Sequence, residues 1–282
     1  MIGKTGVGKS ATCNTMTRTQ NFKSDSSGKS VTQKGKLGKM NWQNKKFKIV
    51  DTPGLFDNLM EDEVLKAEIV KCMALIGPGP HIIMYVIKIG RYTKEDIETA
   101  DKLLQILDGN PFKYMIIVFT GRDDLEYHKD TPENYLLSVT PEFKTFAKKC
   151  DDRIIFVSNR SNDPDREWID IYTAIEKLVS ANSSYYKGEL LEKIQEVKDE
   201  LIDKIQQEDK HATREEAEDR VDKDIEKGGN SLIFMLGMPV VGAVVGGVIS
   251  AFVAISLPVV AATGAIVGGG VVIAKRKLCT IS

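Results

Sequence analysis

The sequence predicts an α/β fold, a doubly wound and mostly parallel sheet, followed by C-terminal helices and an apolar helical hairpin. Three observations predict it. Short apolar runs alternate with helix-period segments through residues 1–182. A glycine-rich loop stands at the start and opens a helix. A long uncharged run extends from Gly228 to Ala274.

The strands come first. Phe47–Val50 reads as a strand that pairs with the segment around Met40–Trp42 through the polar turn Gln43–Lys46. The run 82–87 is continuously apolar, as a strand buried on both faces should be, 114–119 is another such run, and Arg153–Val157 reads as the last strand. Helices are expected near 9–17, 61–75, 94–107, 142–149 and 167–180. Only Met1 and Ile2 precede the glycine loop, where a central strand belongs. The expectation is a sequence truncated upstream, or else a sheet that closes around a gap.

Composition narrows the function. The 282 residues carry a formal net charge of −1, and the basic residues are dispersed, so no nucleic-acid partner is expected. Cys13, Cys72, Cys150 and Cys279 are widely separated and form no CxxC pair, which argues against zinc and against a disulfide framework. His81, His128 and His211 are equally scattered and read as ordinary structural or surface residues. Residues 1–10 are a motif and not an apolar leader, so no secretory signal is expected.

That motif is Gly3-Lys4-Thr5-Gly6-Val7-Gly8-Lys9-Ser10, a full match to the P-loop pattern. Its glycines let backbone N–H groups curl around a β-phosphate, and Lys9 sets a charge between β- and γ-phosphates. The Ser10 hydroxyl is placed to ligate Mg²⁺, and the helix that includes Ala11 aims its positive end at the phosphates. Asp51-Thr52-Pro53-Gly54 follows the strand 47–50, with Asp51 expected on Mg²⁺ and the Gly54 N–H on the γ-phosphate. The spacing between the two motifs is that of GTPases. Between them, Thr32 is the candidate switch threonine, reaching Mg²⁺ when GTP is bound.

Thr120-Gly121-Arg122-Asp123-Asp124 follows the strand 114–119, where a carboxylate would read guanine N1 and N2. Asp124 is assigned that role, with Arg122 covering the base. Asn159, in Ser158-Asn159-Arg160 after the last strand, is the candidate for a further base contact.

Taken together, GKTGVGKSAT, the DTPGLFD box, GRYTKED at 90–96, FTGRDDL and the SNR loop make residues 1–182 resemble the immunity-associated nucleotide-binding GTPases, the GIMAP or IAN family. GRYTKED is the most specific part of that likeness. The sequence departs from the family pattern in its first strand and at Gly121. The resemblance implies GTP or GDP with Mg²⁺ as cofactors and homodimers or homo-oligomers formed across the nucleotides. Leu55 follows Gly54, where a glutamine would orient water, so a monomer should hydrolyse GTP slowly. Arg91 is the candidate to supply charge from a dimer partner; its plainer role is to cap a strand or pair with Glu95. Two classes stay open: a dimer-stimulated GTPase, and a GTP-regulated membrane scaffold with negligible hydrolysis. An inactive fragment is a third.

Beyond 182 the chain changes character. Residues 183–227 are charged, and Leu190, Ile194, Val197, Leu201 and Ile205 form one apolar stripe, to dock on the GTPase domain or to pair with a second copy. Thr213 and Glu216 form a capping-box pattern. Residues 228–282 hold about 40 strongly apolar positions, twice the roughly 20 that span a bilayer. Pro258 divides them into expected helices 232–253 and 259–274, with GxxxG faces at Gly242/Gly246 and Gly264/Gly268. Lys275–Lys277 and the CaaX-like Cys279-Thr280-Ile281-Ser282 point to prenylation and to the cytosolic face of an intracellular membrane, with membrane lipid as partner.

Overall fold

The computed structural model describes residues 1–22, 35–54, 62–90, 96, 100, 106–107 and 109–238. Strands β1 (Lys36–Trp42) and β2 (Lys45–Asp51) form an antiparallel hairpin in the register Lys36↔Asp51 to Trp42↔Lys45. Its turn is shorter than the sequence suggested. Gln43 and Asn44 both take positive φ, 47° and 61°, the two-residue turn whose twist matches the flanking strands.

Strands β3 (Ile83–Lys88), β4 (Met115–Thr120) and β5 (Ile154–Val157) form a parallel sheet with Tyr85↔Ile117 and Phe119↔Phe156 in register. All six residues of β4 are buried. Alternate side chains feed two separate cores, as the pleat requires. Ile83, Tyr85, Ile87, Met115, Ile117 and Phe119 join one; Met84, Val86, Ile116 and Val118 join the other. The second core is closed by α1 (Lys9–Thr17) and α6 (Pro164–Asn182), through Cys13, Met16, Trp168 and Ile171. The first is closed by α2 (Asp62–Ile76), α5 (Pro141–Lys149) and the helices that follow α6. Helices on both faces of a parallel sheet are the doubly wound layout.

Two short helices were not foreseen, α3 (Arg122–Tyr127) and α4 (Pro132–Ser138). The start signal of α4 was present in the sequence: the Thr131 side chain caps it and Pro132 occupies its first turn. The same Thr-Pro pair opens α5.

The hairpin and the parallel sheet are separate sheets, and Met1 and Ile2 bond to one strand of each. Ile2 makes a single parallel bridge to Tyr85, donating to the Met84 carbonyl at 2.8 Å and accepting from the Val86 N–H at 2.7 Å. The Met1 ammonium donates to the Val50 carbonyl at 2.8 Å. Below these two residues, β2 and β3 flank a cleft of about 540 Å³ lined by Phe47, Ile49, Ile82 and Met84 among others.

The charged segment packs into the same core as α2. In α7 (Glu189–Glu208) the buried residues are Leu191, Ile194, Lys198, Leu201 and Ile202, so the docked face is rotated from the expected stripe. Leu190, Val197 and Ile205 pack at its margin. Lys198, 1 % exposed, donates to Asp222 Oδ1 at 2.7 Å and to the Ala74 carbonyl at 2.8 Å. Helix α8 (Arg214–Lys227) starts on the expected capping box of Thr213 and Glu216. Its Glu226 accepts from the Leu37 N–H at 2.8 Å, which ties it to β1.

The expected helix 232–253 is corrected at its start. Helix α9 (Asn230–Met235) ends before Gly237, at φ +68°, and its Leu232 and Ile233 are buried in the protein core. An apolar span in a membrane therefore cannot begin at 232. Residues 239–282, with both GxxxG faces, Lys275–Lys277 and Cys279, lie outside the described residues. No helix among the described residues is long and apolar enough to cross a membrane.

Candidate functional site

Four of the motifs expected to act on a nucleotide lie among the described residues, each directly after a strand or the Ile2 bridge. Gly3–Lys9 follow the Ile2 bridge, Thr52–Gly54 follow β2, Gly121–Asp124 follow β4, and Ser158–Asn159 follow β5. The Ile2 bridge, β4 and β5 run parallel with β3, so the loops after them share one edge of that sheet, which is where such folds bind ligands.

The glycine loop is built from positions that only glycine fills. A Cβ on Gly3 would lie 2.3 Å from the Val86 carbonyl oxygen. Gly6 and Gly8 take φ of 76° and 98°, in the left-handed region. Gly8 caps α1 without a side-chain acceptor, and the helix opens directly from the loop. Lys9 folds back over the loop and donates to the Gly3 carbonyl at 2.9 Å and the Lys4 carbonyl at 2.8 Å. The Lys4 ammonium lies 3.6 Å from Asp96 Oδ2. Val7 gives its carbonyl to Thr120 Oγ1 at 2.6 Å, and Ala11 gives its carbonyl to Thr15 Oγ1 at 3.1 Å. Thr5 meets the second motif: a Cβ on Gly54 would fall 1.7 Å from Thr5 Oγ1.

The cation side has a donor set of the right chemistry. Ser10 Oγ donates to Asp51 Oδ2 at 2.5 Å. Asp51 is 1 % exposed, and its Oδ1 is buried with no hydrogen-bond partner. Burial raises the Asp51 carboxyl above its ordinary value, opposed by the Ser10 hydrogen bond and the Lys9 charge. A lone buried carboxylate oxygen beside a hydroxyl fits a hard divalent ion such as Mg²⁺. Thr32, Leu55 and Arg91 lie outside the described residues.

On the base side, Asp124, Arg122 and Asn159 each have protein neighbours of their own. Asp124 is exposed and turns back on Gly121, with Oδ2 3.0 Å from where a Cβ of Gly121 would stand. Its neighbour Asp123 is the carboxylate held against the last loop, accepting from Ser158 Oγ at 3.1 Å. Thr120 ties the box to the P-loop, and Gly121, at φ 90°, makes the turn. The Arg122 guanidinium is ion-paired with the buried Glu167 and lies 3.4 Å from the Phe156 carbonyl. Asn159 is spent on α1, donating to Thr12 Oγ1 and accepting from Thr15 Oγ1, both at 3.0 Å.

A family model described as the AIG1 family matches residues 1–206. The chain belongs to the AIG1 family. The chain is also similar to immune-associated nucleotide-binding proteins of Arabidopsis thaliana. Protein 9 is 34% identical over 203 residues, covering 70% of this chain and 59% of that protein. Protein 10 is 30% identical over 225 residues, covering 77% of this chain and 49% of that protein. The chain thus spans about half of the length of these relatives. Among solved structures, Toc33 from Arabidopsis thaliana in complex with GDP and Mg²⁺ is 18% identical with a TM-score of 0.49, covering 64% of this chain and 82% of that one. In this AIG1-family chain, the GRYTKED box reaches the P-loop through Asp96, a residue that sequence reasoning had left without a role.

Proposed function

We propose that this AIG1-family chain binds guanine nucleotides with Mg²⁺ and cycles as a slow GTPase, faster on self-association, attached to a membrane. The observation that carries the proposal is the Ser10–Asp51 pair at the mouth of the glycine loop, with one carboxylate oxygen left for a cation. In this reading, the loop backbone and Lys9 hold the phosphates, and Ser10 and Asp51 hold the ion. A bound ion would supply charge neutralisation at the phosphates. Asp123, oriented by Ser158, accepts from the guanine edge that adenine lacks. Thr32 and Arg91 keep their roles in the switch and across a dimer as part of the same proposal. Membrane attachment rests on the uncharged residues 239–274.

Titration of the full chain with GDP and ADP in Mg²⁺ tests the core of this reading. GDP should bind far more tightly, and Lys9→Ala should weaken it at least tenfold, as loss of a charge-assisted contact of about 1.5–3 kcal/mol implies. Equal affinity for GDP and ADP would remove the guanine assignment. Single-turnover hydrolysis should rise with protein concentration; a rate that stays flat favours a scaffold whose nucleotide controls assembly alone.

A further inference from the structure

The base-side loops come from different strands, yet one buried side chain holds both. Glu167 lies in the first turn of α6 and is 1 % exposed. A carboxylate so buried must be paired, and its two oxygens are divided between the two loops. Oε1 takes the Arg122 guanidinium from the start of α3, directly after the turn that follows β4. Oε2 takes the Ser158 backbone N–H from the loop after β5, at 3.0 Å. Ser158 then turns its hydroxyl onto Asp123 Oδ1, at 3.1 Å, which closes a ring back to the segment that carries Arg122. An ordinary core ion pair would need one partner. Here every group bonded to Glu167 is within one residue of Asp123 or is the residue that orients it.

We propose that Glu167 is a positioning residue for base recognition: it fixes the two loops against each other so that Asp123 meets the guanine N1 and 2-amino groups together. The inference rests on the guanine reading above. Arg122 anchors a frame, and Asp123 reads.

Titration of the full chain with GDP and IDP tests it, because IDP keeps every phosphate contact and lacks only the 2-amino group. The native chain should prefer GDP by roughly tenfold or more, as a site built to hydrogen-bond a group discriminates against its absence. Glu167→Gln should weaken GDP about tenfold and bring the IDP-to-GDP ratio within about twofold. Ser158→Ala should bring the ratio down similarly, and the double variant should be no worse than either single one, since both act through one ring. If Glu167→Gln fails to fold, Arg122→Gln with Glu167→Gln removes both charges together and should give the same reduced ratio. A fall in GDP and IDP affinity by one common factor, with the ratio intact, would mean a purely structural role and overturn the proposal. Additive losses in the double variant would overturn it too. A native chain that binds GDP, IDP and ADP alike overturns the guanine reading itself, and this proposal with it.

Discussion

Asp51 sits at the P-loop with a charge that the fold alone does not fully compensate. Its carboxyl is raised above 3.8 mainly by burial, so just above that value the native chain keeps a proton that the unfolded chain has lost. Stability therefore falls as pH rises through that window and stays lower at neutral pH. Asp51→Asn should raise the thermal midpoint of the nucleotide-free chain at pH 7 and flatten its change between acid and neutral pH. The same variant should weaken Mg²⁺-dependent GDP binding at least tenfold, for loss of a charged ligand of about 1.5–3 kcal/mol. A lower midpoint in Asp51→Asn would show that the carboxylate stabilises the fold. Gly54 makes a complementary case. Its missing side chain lets Thr5 approach, and Gly54→Ala places a Cβ 1.7 Å from Thr5 Oγ1. That overpacking should cost about 1–3 kcal/mol, measured by chemical unfolding, and should weaken GDP binding by displacing the P-loop. Both motifs were legible in the sequence because each is short and local. The contacts of Asp123, Arg122 and Asn159 were not, because each depends on a partner more than thirty residues away.

Helix boundaries followed local chemistry closely wherever a cap or a turn was written into neighbouring residues. The Thr213–Glu216 box starts α8, and Thr213→Ala should destabilise the chain by about 1 kcal/mol in urea unfolding. The docked face of α7 did not follow as simply. A stripe of aliphatics predicted where that helix packs, yet the face includes Lys198, which no apolar pattern would select. Its ammonium is satisfied by Asp222 and by the end of α2, partners set by tertiary packing. Lys198→Met should therefore cost about 3–5 kcal/mol by stranding Asp222, while Lys198→Met with Asp222→Leu should recover most of it. Equal losses in the single and double variants would show that the pair contributes through packing alone.

For the whole molecule, the boundary between globular protein and apolar tail lies later than the charge pattern suggested. Leu232 and Ile233 are uncharged neighbours of the tail but belong to the core around α2, α7 and α8. A chain ending at Met238 should keep the thermal midpoint of the full chain, since it retains α9. The full chain should resist extraction from membranes by alkaline carbonate, and the chain ending at Met238 should be released. Release of both would show that residues 239–274 do not anchor it.

By itself the sequence determined the alternation of strands and helices, the P-loop, the DTPG box and the family, because these depend on periodicity and on residues adjacent in the chain. The tertiary structure alone decided which of two neighbouring aspartates faces the last loop, that Arg122 pairs with Glu167, and that Met1 and Ile2 bond to β2 and β3 respectively. Each of these is settled by a buried polar group that must find its partner across the fold, and the distance along the chain carries no record of that choice.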